Sequence, residues 1–194
     1  MELDYDIVPL ERLIKDFKRD VIQNKLNLFK CPQEKDLESF LQYKAIEYDI
    51  IGYGKTYLVL DKDKIEDGIV KIIAFYTIGQ KSLDISSLKK KKKRKIIGGS
   101  IPGRDNLDSI SCFLIGQFGR SGEYTHDQLS GKTLLKECFS TINDARKIIG
   151  GNLVFLECRP QMYGLFYEKQ GFKKLAEEPT EDDGLLQLYR NIDS

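Results

Sequence analysis

Residues 131–149, GKTLLKECFSTINDARKII, limit the fold more than any other stretch, because they form an amphipathic helix set between two apolar strands. Leu134, Leu135, Cys138, Phe139, Ile142 and Ala145 recur at three- and four-residue spacing, which predicts one buried face. Gly150 and Gly151 end the helix. SISCFLIGQFGR (109–120) before it and NLVFLEC (152–158) after it read as strands, with the polar loop SGEYTHDQLS leading into the helix. A helix with one apolar stripe and strands with apolar runs must bury them against each other, so this half is layered α and β structure.

The rest of the chain extends the pattern. YDIVPL (5–10) reads as a first strand, and ERLIKDFKRDVI (11–22) as a helix with Leu13, Ile14, Phe17, Val21 and Ile22 on its inner face. Residues 31–52 open on Pro and acidic side chains and close at Gly52, as a helix should, with Leu37, Phe40, Leu41, Lys44, Ala45 and Tyr48 at helical spacing. KTYLVLD (55–61) and GIVKIIAFYTIGQKSLDI (68–85) are rich in β-branched and aromatic residues, and the polar turn between them predicts a hairpin. The run Lys89–Lys95 reads as a solvated loop, followed by a Gly/Pro-rich connection over 96–106. QMYGLFYEKQGF is a short helix broken at Gly171, and KKLAEEP and LLQLYRNI close the chain as a pair of strands. The order β-α-α-β-β-β-α-β-α-β-β, without a repeat or linker, predicts a single domain over residues 1–194: a mixed sheet with helices on its faces.

Composition narrows the function. A formal net charge of +1 gives the molecule as a whole no bias toward strongly acidic or basic partners. The one histidine, His126, excludes His-rich metal sites, and four widely spaced cysteines without a CxxC pair predict reduced thiols and no metal. The N-terminus is acidic rather than signal-like, and no apolar run reaches the roughly 18–20 residues needed to span a bilayer. A cytoplasmic protein without membrane contact is the expectation.

The segment LSGKTLL (129–135) carries the end of a phosphate-binding P-loop, G-x-x-x-x-G-K-[ST]. The motif's first Gly falls on His126, and the tight strand-to-helix turn it requires is replaced by a long polar loop. A P-loop nucleotide-binding protein is therefore the weaker reading. What remains is general: Gly131 lets an anion approach the free N–H groups at a helix start, or it simply begins a helix that Ser130 caps.

In this context Phe166-Tyr167-Glu168-Lys169-Gln170-Gly171-Phe172 resembles the FYxxxGF pattern of the GNAT superfamily of acetyl-CoA-dependent N-acetyltransferases. The resemblance implies an α+β fold with a central, mostly antiparallel mixed sheet of six to seven strands and helices on both faces. It implies transfer of an acetyl group from acetyl-CoA to a primary amine by direct attack in a ternary complex. Tyr167 then corresponds to the acid that protonates the departing CoA thiolate, its alternative being an aromatic packed on Phe166 and Phe172. Backbone groups of Gln117, Phe118 and Gly119 would pair with the pantetheine arm. The family's loop pattern Q/R-x-x-G-x-G/A, anchored on Gly131, covers His126, Asp127, Gln128, Leu129, Ser130 and Gly131, with Lys132 and Thr133 on the first helical turn. Only Gly131 matches; His126 stands at the Q/R position and Leu129 at the first Gly. Pro160 stands where the family has an Asn. Glu157, Asp108 and Glu123 are the carboxylates considered as base, and none is assigned.

A looser similarity joins the segment from Phe29 to Asp61, with "IIAFYTI", to the GNAT toxins of toxin–antitoxin systems, which acetylate the amino group of aminoacyl-tRNA. It implies aminoacyl-tRNA as one candidate for the amine acceptor, beside a protein N-terminus, a lysine or a small amine, with Lys89–Lys95 a potential phosphate contact. The protein partners it implies are an antitoxin and, as a homodimer, a second copy of the chain. The alternative from another class is a GNAT-fold binding or regulatory module without catalysis, to which the degraded loop pattern points.

Overall fold

β-Branched and aromatic runs become strands close to where the pattern places them. The computed structural model describes residues 3–98 and 102–192; Gly99, Ser100 and Ile101 of the Gly/Pro-rich connection lie outside the described residues. The strands are β1 (Tyr5–Pro9), β2 (Lys55–Asp61), β3 (Ile72–Asp84), β4 (Ser109–Arg120), β5 (Leu153–Cys158), β6 (Lys173–Lys174) and β7 (Leu186–Asn191). They hydrogen-bond in the order β1-β2-β3-β4-β5-β7-β6. Pairing is antiparallel at β1–β2, β2–β3, β5–β7 and β6–β7. It is parallel at β4–β5, through Phe113↔Val154 and Leu114↔Phe155. The chain thus has the mostly antiparallel mixed sheet of an α+β, GNAT-like fold.

Two expected helices are each broken. Residues 11–22 divide into α1 (Leu10–Asp16) and α2 (Arg19–Leu26), because Phe17 and Lys18 adopt extended backbone. The break shifts the phase of the apolar stripe. Ile22 and Leu26 are buried, but Phe17 is 55% exposed and Val21 also faces out, against expectation. The segment 31–52 divides at Lys44 (φ −121°) into α3 (Lys35–Tyr43) and α4 (Ala45–Ile50), leaving Lys44 exposed. The β2–β3 hairpin carries a one-turn helix, α5 (Lys62–Glu66), whose first turn is capped by Asp61 through the Lys64 N–H.

The chain divides into two units, residues 1–79 with 116–141 and residues 80–115 with 142–194. In the first, Leu10, Leu26, Phe29, Phe40, Leu41, Leu58 and Phe75 form the core, with Phe29 edge-on to Phe75 at 5.3 Å. A polar tie runs beside this core. Asp49 of α4, 1% exposed, accepts hydrogen bonds from the Thr56 N–H (2.9 Å) and Lys55 Nζ (3.0 Å) at the start of β2. Lys55 also donates to the Asp49 carbonyl and pairs with Glu11. Next along β2, the Thr56 and Thr77 hydroxyls hydrogen-bond at 2.9 Å, and Tyr57 stacks on Tyr76. Burial raises the pKa of both tyrosines.

In the second unit, Ile85, Ile96, Ile97, Leu153, Phe155 and Tyr189 form the core. The basic run is not a solvated loop. Residues Lys90–Ile97 form α6, ended by Gly98 at φ +66°. Lys93, 5% exposed, donates from Nζ to the Leu107 carbonyl. Lys92 donates to the Lys174 carbonyl and lies over the Tyr189 ring. Arg94 makes a two-pronged pair with Asp105. The last carbonyls of the helix accept from Asn191 and Asn152. Lysine stems are apolar enough to cover a core while the amine reaches a carbonyl, so Lys93, Ile96 and Ile97 form one inner face. Lys89, Lys90, Lys91 and Lys95 remain exposed.

Candidate functional site

The first unit holds the candidate anion-binding elements. α7 (Gly131–Ile149) starts where expected, and Leu134, Leu135, Cys138 and Ile142 are buried. Ser130 is its N-cap: Oγ accepts the Thr133 N–H at 3.0 Å and lies 2.9 Å from the Thr133 hydroxyl. A ligand at this terminus would therefore meet the N–H groups of Gly131 and Lys132, with the Lys132 side chain exposed beside them.

The polar loop before α7 is tied down residue by residue. The Ser121 N–H donates to Ile73, the Gly122 N–H and Ser121 hydroxyl to Lys30, and Tyr124 to the Asp61 carboxylate at 2.9 Å. Burial and that carboxylate both raise the Tyr124 pKa. Gln128 then closes a turn by accepting from the Thr125 N–H and hydroxyl. His126 and Asp127 stand in solvent at its tip. Leu129 is 2% exposed and sits in the core, so it cannot present bare backbone as glycine would. Its carbonyl accepts from Arg120 Nη1 at 2.6 Å. Residues 121–130 between β4 and α7 are not the tight turn of a P-loop.

At the end of β4, Gln117, Phe118 and Gly119 are half-buried. Gly119 has a packing reason: a Cβ there would fall 2.4 Å from Leu37 Cδ1 of α3. Arg120 belongs to no motif and escapes a sequence reading; the available signal is a basic residue closing an apolar strand. Among the described residues, the buried side-chain atom without a hydrogen-bond partner is Arg120 Nε.

Tyr167 belongs to the second unit. The segment runs as an α turn (Pro160–Met162), a π turn (Tyr163–Tyr167) and a 3-10 turn (Glu168–Gln170). Tyr167 is 8% exposed and lies edge-on to Phe166 at 5.0 Å and to Phe172 at 5.6 Å. Gly171 ends the segment at φ +81°, and Arg190 donates to the adjacent Gln170 carbonyl. A side chain is disfavoured at that φ, so Gly171→Ala should cost about 1 kcal/mol in urea denaturation. A change below a few tenths would mean the turn adapts. Of the carboxylates considered as base, Glu157 accepts from Lys81 and Gln187, and Glu123 pairs with Lys71 at 2.8 Å. The four cysteines are free and buried. No helix among the described residues is long and apolar enough to cross a membrane.

No family model and no curated protein matches the chain. Solved structures do. A crystal structure of a bacterial toxin superposes with a TM-score of 0.74 at 15% identity, covering 98% of this chain and 92% of that one. AtaT complexed with acetyl-methionyl-tRNAfMet gives 0.66 at 19% identity, covering 95% and 94%. AtaTR bound with acetyl-CoA gives 0.66 at 18%, covering 98% and 94%. The chain therefore has the fold of the toxin-type GNAT acetyltransferases, in agreement with the FYxxxGF resemblance.

Proposed function

We propose that residues 1–194 form one GNAT-type acetyltransferase domain that transfers acetyl from acetyl-CoA to the amino group of an aminoacyl-tRNA. The observation that carries this reading is the likeness of fold, along almost the whole chain, to AtaT complexed with acetyl-methionyl-tRNAfMet and to AtaTR bound with acetyl-CoA. The N–H groups of Gly131 and Lys132, with the side chains of Lys132 and Thr133, would take the diphosphate, and Gln117, Phe118 and Gly119 the pantetheine arm. Of the wider 127–132 set, the Gln128 and Leu129 N–H groups are spent on the Thr125 carbonyl. The neutral amine attacks the thioester carbonyl directly, the C–S bond breaks, and Tyr167 gives its proton to the leaving thiolate. The proton that the new amide nitrogen sheds passes to solvent, from which Tyr167 is reprotonated. Holding both substrates in one complex supplies much of the acceleration. An antitoxin protein and a second copy of the chain are the proposed protein partners; AtaT has been captured with the C-terminus of the antitoxin AtaR. The alternative, a GNAT-fold module that binds without catalysis, draws on Leu129 replacing the pattern's glycine.

The test is labelled acetyl-CoA with charged tRNA. Label should enter the tRNA and be lost when the amino acid is removed. Calorimetry without acetyl-CoA binding would refute the enzyme reading, and binding without transfer would favour the module. Replacing the exposed Lys89, Lys90, Lys91 and Lys95 by Gln removes cations while leaving Lys92, Lys93 and the Asp105-paired Arg94 in place. If they meet phosphates, KM for charged tRNA should rise about tenfold with a shallower salt dependence. An unchanged KM would dismiss the run as a contact.

A further inference from the structure

Resting on the reading of residues 126–133 as the diphosphate-binding loop, we propose that Arg120 is the positioning residue of that loop. It does with a side chain what glycine at position 129 does in the pattern from which this chain departs. Four observations support the assignment. Leu129 is fixed from both ends, its side chain in the core and its carbonyl on Arg120 Nη1 at 2.6 Å. In a trans peptide the C=O and the next N–H point in opposite directions, so drawing the Leu129 carbonyl toward Arg120 turns the Ser130 N–H away from it. The same contact covers a carbonyl dipole that would otherwise repel a diphosphate.

Second, among the described residues no non-glycine residue has a positive φ, so the loop reaches α7 without the left-handed conformation that glycine serves elsewhere. Third, Arg120 has no carboxylate partner among the described residues; its hydrogen bond is to the Leu129 carbonyl. The positive charge of its guanidinium adds to the anion-attracting potential of this loop. Fourth, the chain keeps Arg120 although its buried Nε lacks a partner, an arrangement that costs stability and that a neutral side chain would avoid. What is set against that cost is the hydrogen bond to the Leu129 carbonyl, which ties the side chain's place here to the loop.

The experiment compares wild type, Arg120→Lys and Arg120→Gln. By calorimetry, Arg120→Gln should bind acetyl-CoA about tenfold more weakly, equivalent to about 1.4 kcal/mol, with Arg120→Lys between the two. Urea midpoints should move little. In the transfer assay the loss should lie in KM for acetyl-CoA with kcat nearly unchanged. It should vanish when S-acetyl-pantetheine, which has no diphosphate, is the donor. Should Arg120→Gln fail to fold, Arg120→Lys carries the test, since it keeps the charge but not the planar fork. Unchanged acetyl-CoA affinity in a folded variant overturns the proposal, as does an equal loss with S-acetyl-pantetheine. Wild-type protein without acetyl-CoA affinity overturns the proposed function and this inference with it. Wild-type affinity that survives the loss of Arg120 leaves the proposed function standing and removes the inference alone.

Discussion

Tyr167→Phe should lower kcat about a hundredfold while leaving the affinity for acetyl-CoA within about twofold, the low end of what a positioned proton donor contributes. The substitution removes one oxygen and keeps the ring that lies edge-on to Phe166 and Phe172, so the aromatic packing is preserved. The thermal midpoint should accordingly move by no more than a degree or two. Calorimetry, a thermal melt and single-turnover acetyl transfer separate the three quantities. Unchanged turnover would leave Tyr167 as a packed aromatic and no more. A fall in acetyl-CoA affinity equal to the fall in rate would make it a binding residue instead.

The largest effect on stability is expected at Asp49. Its carboxylate is almost wholly buried and accepts from the Thr56 N–H and Lys55 Nζ, tying α4 to the start of β2. Asp49→Ala strands a buried N–H and leaves Lys55 with Glu11 as its remaining carboxylate partner. The cost should be about 3 kcal/mol in urea denaturation. Asp49→Asn keeps an acceptor for Thr56 but turns a neutral group toward Lys55, and should lose about half as much. Because Thr56 also pairs with Thr77, the damage should extend into the β2–β3 ladder as faster amide exchange. A loss below about 0.5 kcal/mol for Asp49→Ala would show that water replaces the carboxylate at this position.

Where apolar spacing met no interruption, the chain could be read directly. Residues Ser109–Arg120 and Gly131–Ile149 form the strand and helix that their patterns predict, and the glycines at 150 and 151 take positive φ at the helix end. The breaks at Phe17–Lys18 and Lys44 were not legible, because none of these residues is a helix breaker. What decides them is tertiary: extended backbone at Phe17 and Lys18 brings Ile22 and Leu26 into the core. The basic run misled for another reason. Charge is visible in a sequence, whereas the destination of each amine is not, and Lys93 finds a carbonyl fourteen residues away. At the candidate site, Ser130 was legible as a cap because capping is local. Arg120 was not, since its partner Leu129 lies across the loop and neither belongs to a recognisable pattern.

The way α6 uses its cations bears on how the chain survives among proteases. A run of lysines and arginines offers a trypsin-like enzyme one scissile bond after another, and in a flexible segment it would be the first place cut. Such an enzyme needs its target extended over several residues. Here it would have to unwind a helix whose Lys93 and two isoleucines are buried and whose last carbonyls are held by Asn152 and Asn191. Cleavage then waits on a local opening of that part of the fold, so the densest cluster of cut sites becomes a protected one.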